Sequence, residues 1–386
     1  MTSILFISSF FLLSDNDSLV ADQYLKQGHQ YYNQSNYDSS TIFYHKAAKL
    51  FQKSGCFGNA VKCYRFCSTH YLVLSKKNEA LEVVETALEI CATKLPINHV
   101  EICLTYNAAG NYYKAQSELD IAISFQLKAL DCIGKADSKT QKHEAILYND
   151  IGLTYWNLGD YDHALEHLQY SLNIKLNSPK VSDIQFAKAY TNIGIIHFEK
   201  AEYLDAKKLF EKSLEIRLKY HGNTHRKVAM CYNNLGVIHW AIGNNKKSLE
   251  CYLKALEIDK KLLGEDNTLV AEAYTNIGRT YYEIHDYKNA TLFQNKALKI
   301  FIDKYGDHHP HVSLVYKTLG DIYLAKKQFP EASTNYQFAM LATIKGFAEQ
   351  DYYINPDLTA ITILSSRTFL DALESKAISL FFAGLR

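Results

Sequence analysis

Proline and glycine are scarce in this chain, 5 and 17 in 386 residues. They are the strongest chain-turning residues, so a fold of many short strands and tight hairpins is excluded. Neither sign of charge is in excess. Lys and Arg number 42 against 41 Asp and Glu, a net charge of +1, and the two signs are interspersed. Neutralising a phosphate backbone takes a basic stripe, and none is present, which excludes nucleic acid as the main partner. Long hydrophobic runs are missing too. The run Ile4 to Leu13 has the length of a signal-peptide core and falls short of a bilayer. No stable membrane span is expected.

The motifs of catalysis are equally absent. There is no G-x-x-x-x-G-K-[ST] or G-x-G-x-x-G phosphate loop and no G-x-S-x-G elbow. The eight cysteines, Cys56, Cys63, Cys67, Cys91, Cys103, Cys132, Cys231 and Cys251, form no C-x-x-C pair. Cys63 and Cys67 share a helix face, yet no Cys/His pair nearby completes a zinc site. All eight are expected to be reduced and to act as small apolar side chains. His308, His309 and His311 crowd together beside Asp307 and Pro310, in a segment that joins two repeats, where a structural role is expected. No catalytic residue, metal or cofactor is assigned, and the chain is not expected to be an enzyme.

Two readings of location stay open. Unpaired cysteines favour a reducing compartment, the cytoplasm. If residues 1–14 or 1–21 are a signal peptide, the protein is exported or periplasmic. No Lys or Arg precedes that apolar run, and the candidate cleavage points near Ser14 and Ala21 have leucines three residues in.

A chain of this length is too long for one ordinary core, which leaves two or three domains or a repeat array. The array is present. Gly110, Gly152, Gly194, Gly236, Gly278 and Gly320 recur every 42 residues, and Ser68 and Gly28 extend the series backwards with one interval of 40. Four residues before each anchor stands a tyrosine: Tyr24, Tyr64, Tyr106, Tyr148, Tyr190, Tyr232, Tyr274 and Tyr316. Three after it stand Tyr31, Tyr71, Tyr113, Tyr155, His197, His239, Tyr281 and Tyr323. Small residues fill the places twelve and nineteen after it, such as Ala122 and Ala129 or Ser248 and Ala255. Positions −4, 0 and +3 share one face of a first helix, and +12 and +19 lie on the buried face of a second. Each hairpin can bury its face only against its neighbours, so the array is quasi-one-dimensional.

These columns resemble the tetratricopeptide repeat over Ala21 to Ala342. The usual unit has 34 residues. The additional eight, about two helical turns, and loops such as Tyr220-His221-Gly222 and Leu263-Gly264-Glu265-Asp266 resemble the 42-residue kinesin-light-chain variety. The resemblance implies an all-α fold, a right-handed α-α superhelix of about eight helix-turn-helix repeats closed by a C-terminal capping helix. The expected division is an apolar N-terminal segment at 1–20 and repeats over 21–345. The repeats fall at 21–60, 61–102, 103–144, 145–186, 187–228, 229–270, 271–312 and 313–345, with a linker and capping helix at 346–386. Phe347 to Pro356 with Phe369 to Ala377 also resembles the junction in bacterial repeat proteins that end in a caspase-like CHAT domain.

In such arrays the first helices line a concave surface. Asn107, Asn149, Thr191, Asn233 and Thr275 stand at −3, and Asp150, Asn192, Asn234 and Asn276 at −2. Asparagine is a mediocre helix former, so its recurrence there has a cause. An amide can donate to and accept from the backbone of an extended peptide whatever its sequence, and the resemblance implies that use. The other cause is a bond between neighbouring helices. The +4 column, Trp156, Phe198, Trp240 and Tyr282, sits where an aromatic either anchors a partner or joins the core. Arg279 and Lys317 would meet an acidic group. The expected peptide-binding residues are therefore Asn149, Asn192, Asn233, Asn234, Asn276, Trp156, Phe198, Trp240, Tyr282, Arg279 and Lys317.

The leading expectation is a protein–protein interaction scaffold that holds an extended polypeptide. The alternatives are the sensor half of a CHAT protease system, partnered by a CHAT-type effector, and a structural protein that self-associates through Ile378 to Leu385.

Overall fold

The computed structural model describes residues 2–34, 36–136, 141–178, 182–345, 362–363 and 366–382, with side chains from 17–34, 36–136, 141–178, 182–343 and 371–380. By internal contacts the chain falls into two units, Met1–Lys200 and Ala201–Arg386.

The first unit holds α1 (Thr2–Asn33), α2 (Tyr37–Lys53), α3 (Phe57–Val73), α4 (Lys77–Lys94), α5 (Val100–Ala115), α6 (Leu119–Gly134), α7 (Gln141–Leu158), α8 (Tyr161–Leu176) and α9 (Asp183–Glu199). The second holds α10 (Tyr203–His221), α11 (Arg226–Ala241), α12 (Asn245–Leu263), α13 (Thr268–Glu283), α14 (Tyr287–Tyr305), α15 (Pro310–Ala325), α16 (Phe329–Thr343) and α17 (Ser366–Phe382). The described residues are all-α but for a two-residue antiparallel ladder. In it β1 (Ile344–Lys345) meets β2 (Thr362–Ile363), with Ile344 opposite Ile363.

The anchors lie mid-helix and work through what they lack. A Cβ on Gly236 would stand 2.6 Å from the ring of Tyr252, which is only 3% exposed. At Gly110 the obstacles would be Gln126 Cγ at 2.5 Å and the Ala122 carbonyl oxygen at 2.9 Å. Bare backbone here lets the second helix lay a large side chain, sixteen residues on, across the first. In the one unit whose anchor is Ser68, the side chain sixteen residues on is Val84, smaller than Tyr, Gln or Leu. Serines at +12 reinforce the approach: Ser40 Oγ donates to the Gly28 carbonyl at 2.8 Å, and Ser248 Oγ to that of Gly236 at 2.9 Å.

The tyrosine columns fill the flanks. At +3, Tyr31, Tyr113 and Tyr281 stack on Phe43, Phe125 and Phe293 with centroids 5.2, 5.4 and 5.6 Å apart. Tyr155 stacks likewise on His167. Around them lie buried apolar clusters, Tyr44, Phe51, Ala60 and Cys63 in the first unit and Val270, Ile277, Phe301 and Val312 in the second. Each fully buried large side chain stabilises by about 1.5–3 kcal/mol.

Turn chemistry repeats as well. Seven residues after the anchor the backbone is left-handed in every described hairpin: Ser75, Ser117, Gly159, Ala201, Gly243, His285 and Lys327 all have positive φ. Asn36, Asp160, Asn244 and Asp286 then cap the second helices through backbone N–H groups three residues on. Several first helices use histidine for the same task. Nδ1 of His99, His225 and His309 accepts from the N–H of Glu101, Lys227 and His311.

At the C-terminal end α17 packs on α16. Ala372 is buried against Ala339 and Met340, the buried Lys376 ammonium donates to Gln337 Oε1 at 2.8 Å, and the Ser379 and Ser333 hydroxyls are bonded. Of the self-association segment, Ile378 is 41% exposed and Ser379 is buried, while 383–386 lie outside the described residues. The CHAT-like stretch 347–356 also lies outside them, as do the side chains of Ile4 to Leu13 within α1.

One expectation is overturned. Cys103 and Cys132 are not reduced; they form a disulfide joining α5 to α6, with Cα atoms 5.3 Å apart. The cause is visible in the columns. Positions −7 and +22 face each other across the hairpin. Elsewhere they carry pairs such as Ala145 with Ile174 or Ala271 with Ile300, and in this repeat alone both are cysteine. Cys56, Cys63, Cys67, Cys91, Cys231 and Cys251 remain free thiols.

Two predictions follow from the packing and the caps. Gly236→Ala gains about 1 kcal/mol of helix propensity but overpacks Tyr252, at a cost of about 1–3 kcal/mol. Its urea midpoint should fall, and Gly236→Ala/Tyr252→Val, which reproduces Ser68 over Val84, should recover part of the loss. A midpoint at or above wild type contradicts the close-approach account.

A histidine cap requires a neutral ring. Burial holds His225 and His309 below their ordinary value of 6.5, aided by the charges of Lys227 and Arg217 on the first and His311 on the second. With the folded value depressed, the stabilisation is fully present above pH 6.5 and is lost as pH falls through the folded value. The melting temperature should drop between about pH 7 and pH 5, each cap being worth about 1 kcal/mol. His225→Asn/His309→Asn, which caps at any pH, should flatten that slope; an unaltered slope contradicts the assignment.

Candidate functional site

The residues singled out on the first helices fall into two groups, amides around −3 and −2 and aromatics at +4. Equivalent first helices are offset so that −3 of one meets −2 of the next. Asn192 Nδ2 donates to Asn149 Oδ1 at 2.9 Å, joining α9 to α7. Asn276 Nδ2 donates to Asn233 Oδ1 at 3.1 Å, joining α13 to α11. Asn107 Nδ2 donates to Asp150 Oδ2 at 2.8 Å, joining α5 to α7. Each bond spans 43 residues, one repeat plus one.

These clasps divide the expected ligand residues. Asn149 is buried, 6% exposed, and both ends of its amide are engaged: Nδ2 donates to Asp150 Oδ1 while Oδ1 accepts from Asn192. In this structure its amide is engaged by the bond between neighbouring helices. Asn233 is half-buried and gives its Oδ1 to the clasp. Asn192 and Asn276 are half-buried; their Nδ2 groups are committed, while their Oδ1 atoms accept no bond from the described residues and are not sealed from solvent. Asn234 differs from all of them. Its position in the preceding −3 column is a threonine, Thr191, whose hydroxyl donates to its own helix at the Ala187 carbonyl. Among the described residues the half-buried Asn234 amide has no hydrogen-bond partner, and neither of its polar atoms is sealed.

A chain of repeated hairpins in this register is matched by the sequence profile of the tetratricopeptide repeat, at residues 101–177, 185–261 and 232–303. The chain belongs to the tetratricopeptide repeat family. Repeats of this family generally mediate protein–protein interaction. Among solved structures, the apo form of RapI is similar over 93% of this chain and 98% of its own, at 15% identity and a TM-score of 0.62. BtubC (BKLC) from P. vanneervenii is similar over 60% of this chain and 91% of its own, at 18% identity and a TM-score of 0.49. The nearly identical repeats of a putative kinesin light chain from Podosopora anserina cover 54% of this chain and 98% of theirs, at 13% identity and a TM-score of 0.48. The likeness to RapI is one of fold. Among curated proteins none matches the sequence.

The aromatic column of these tetratricopeptide repeats is half-buried throughout, at Trp156, Phe198, Trp240 and Tyr282. In the second unit it carries charge: the Arg279 guanidinium lies over the Trp240 ring, 4.8 Å from its centroid. A cation over indole contributes about 0.5–1 kcal/mol at an exposed site and holds both side chains as one platform. Burial, with the nearby Asp321, Tyr287 and Glu283 charges, raises the Tyr282 phenol above its ordinary value, so its O–H stays a donor. Lys317 is less available than its position implies. Its ammonium donates to Asp321 Oδ2 at 3.1 Å, and Asp321 Oδ1 accepts from Tyr336.

Sequence reasoning missed two features near these residues. One is Asp150, which gathers the amides of Asn107, Asn111 and Asn149. The other is a cleft of about 830 Å³ between α4, α5 and α6, floored by Ile102 and Tyr106 and walled by Leu88, Leu95 and Leu127. The lysine column gave no signal of it, since Lys128 stands at +18 as Lys46, Lys254 and Lys296 do. Lys46, Lys254 and Lys296 lie over the −4 tyrosines Tyr24, Tyr232 and Tyr274, whereas Lys128 lies over Phe125, whose ring meets that of Tyr106.

Proposed function

We propose that this protein is a binding scaffold whose first helices hold an extended polypeptide through side-chain amides, with no catalytic step of its own. The observation that carries the reading is the Asn234 amide, half-buried and unpartnered among the described residues in a column whose other members are engaged. In water an unpartnered amide costs little; under a ligand backbone it offers one donor and one acceptor in register. On α13 the Asn276 Oδ1 adds an acceptor, held still because its Nδ2 is clasped to Asn233. The Arg279–Trp240 platform and Tyr282 supply the apolar contact beside them. In the first unit the matching elements are the Asn192 Oδ1 with Trp156 and Phe198.

The clasp has an energetic purpose in this reading. An amide that is fixed before the ligand arrives loses less side-chain freedom on binding. Each amide–backbone bond contributes about 0.5–1.5 kcal/mol net, so a few bonds with apolar contact reach about micromolar affinity.

The test uses peptides selected on the wild-type protein from a random library and measured by fluorescence anisotropy. Asn234→Ala is expected to weaken them about tenfold, two bonds' worth, with the melting temperature unchanged. Asn276→Ala should lower affinity and stability together, because Asn233 loses its clasp. Selected peptides that bind Asn234→Ala as tightly as wild type would overturn the proposal.

A further inference from the structure

Along the edge where α7 meets α8, five rings follow one another. His163, Tyr155, His167, Tyr148 and Tyr170 stand in that order, with successive centroids 5.1, 5.4, 5.8 and 5.4 Å apart. In three other repeats the matching strip closes on a cation of the chain's own. At +18, Lys46 lies 5.6 Å from the Tyr24 centroid, Lys254 5.3 Å from that of Tyr232 and Lys296 5.6 Å from that of Tyr274. Here +18 is Tyr170, whose ring meets Tyr148 at the distance the ammonium keeps elsewhere. Tyr170 is 48% exposed, an aromatic ring held out to solvent where its column places lysine.

A second column changes in the same sense. Position −8 is apolar in every other repeat, as at Ile102 and Val270, and here it is Glu144. Burial, followed by the Glu144 charge, raises the Tyr148 phenol above its ordinary value, which sets that carboxylate beside the strip. Glu166, one turn before Tyr170 on α8, is exposed and makes no ion pair among the described residues. Against the pattern of its neighbours the strip has lost a positive charge and gained a negative one. The last repeat also has a ring at +18, the half-buried Phe338, but Val312 and Thr334 stand where Glu144 and Glu166 would.

The middle ring brings no charge of its own. Burial holds His167 below its ordinary value of 6.5; the Glu166 charge opposes this and the His163 charge adds to it. His163, at the far end, donates from Nδ1 to Asp160 Oδ2 at 2.6 Å.

We propose that the strip ending at Tyr170 is a docking surface for a basic segment of a partner polypeptide, with an arginine laid on the Tyr170 ring and paired with Glu166. The chain displays the chemistry itself: where a lysine is supplied from within, the aromatic strip takes its ammonium. Where Tyr170 replaces that lysine and carboxylates gather, the cation comes from outside. Arginine fits better than lysine, since a planar guanidinium stacks on a ring and pairs with a carboxylate in fork geometry. This surface goes beyond the amide reading, because it uses α8, a second helix, and none of the asparagines.

Alternate residues of an extended chain point to one side, so the probes alternate. They are fluorescein-labelled twelve-residue peptides of Arg and Ala, Lys and Ala, or Gln and Ala, titrated by anisotropy into the full chain at low salt. Affinity should fall in the order Arg, Lys, Gln, and the Arg peptide should weaken as salt rises. Tyr170→Lys restores the residue of the column and should weaken the Arg peptide about tenfold, through a lost ring contact and a new like charge. Its melting temperature should be unchanged, and Tyr170→Phe should bind as wild type does. Glu166→Gln should weaken the Arg peptide about threefold. Thr86→Lys, which puts the same charge in the same column of another repeat, should bind it as wild type does.

Equal binding of Arg and Gln peptides, or of the Arg peptide to wild type and Tyr170→Lys, would overturn the proposal. So would a loss at Thr86→Lys as large as at Tyr170→Lys, which would reduce the effect to net charge. Displacement by millimolar spermidine as complete as by unlabelled Arg peptide would make this a polyamine site and overturn it too. The Asn234→Ala chain keeps the two proposals apart. It should retain full affinity for the Arg peptide, and indifference of that peptide to Tyr170→Lys would sink this proposal while leaving the amide reading intact.

Discussion

The packing of this molecule depends on a spot of bare backbone in the middle of every first helix but α3, where the anchor is Ser68. At Gly236 or Gly110 a single Cβ would collide with a buried ring or with the carbonyl of the opposing helix. Its absence fixes the distance and the axial register of each hairpin at once, since the side chain sixteen residues on can settle in only one place. With the hairpin fixed, the next one repeats it, and first helices stand side by side in a constant offset. That offset is why −3 of one helix meets −2 of the next in three separate bonds of the same span.

The amides therefore have a structural task before they have a binding one. They stitch α7 to α9 and α11 to α13, and a helix former as mediocre as asparagine is retained because the bond it makes offsets its propensity cost of under about 0.7 kcal/mol. The proposed function uses the places where the stitching is incomplete. Asn234 has no hydrogen-bond partner among the described residues. At Asp150 a carboxylate stands in place of the amide and draws in three donors, from Asn107, Asn111 and Asn149. In the proposed reading a ligand is held at departures from the repeat, rather than by the repeat.

Much of this was legible in the residues. The interval of 42, the tyrosine columns and the small residues at +12 and +19 specify helical hairpins, because a period that long with that helical spacing has no strand-based solution. Asparagines at −2 and −3 were equally visible, and both of their uses could be stated. Choosing between those uses was out of reach, since it needs the lateral offset of two helices that are 43 residues apart in the chain. The Cys103–Cys132 bond was hidden differently. Both cysteines were counted as apolar, and only a comparison of columns −7 and +22 sets them face to face.

The division of amides into clasped and open is the claim on which the functional account stands. Side-chain NMR of the chain labelled with ¹⁵N at asparagine tests it directly, through the hydrogen exchange of each NH₂ group assigned by single substitutions. The account predicts slow exchange at Asn107, Asn192 and Asn276, exchange near the free-amide rate at Asn234, and the largest shift at Asn234 when a peptide is added. Equal protection at all four, or a protected Asn234, would contradict it.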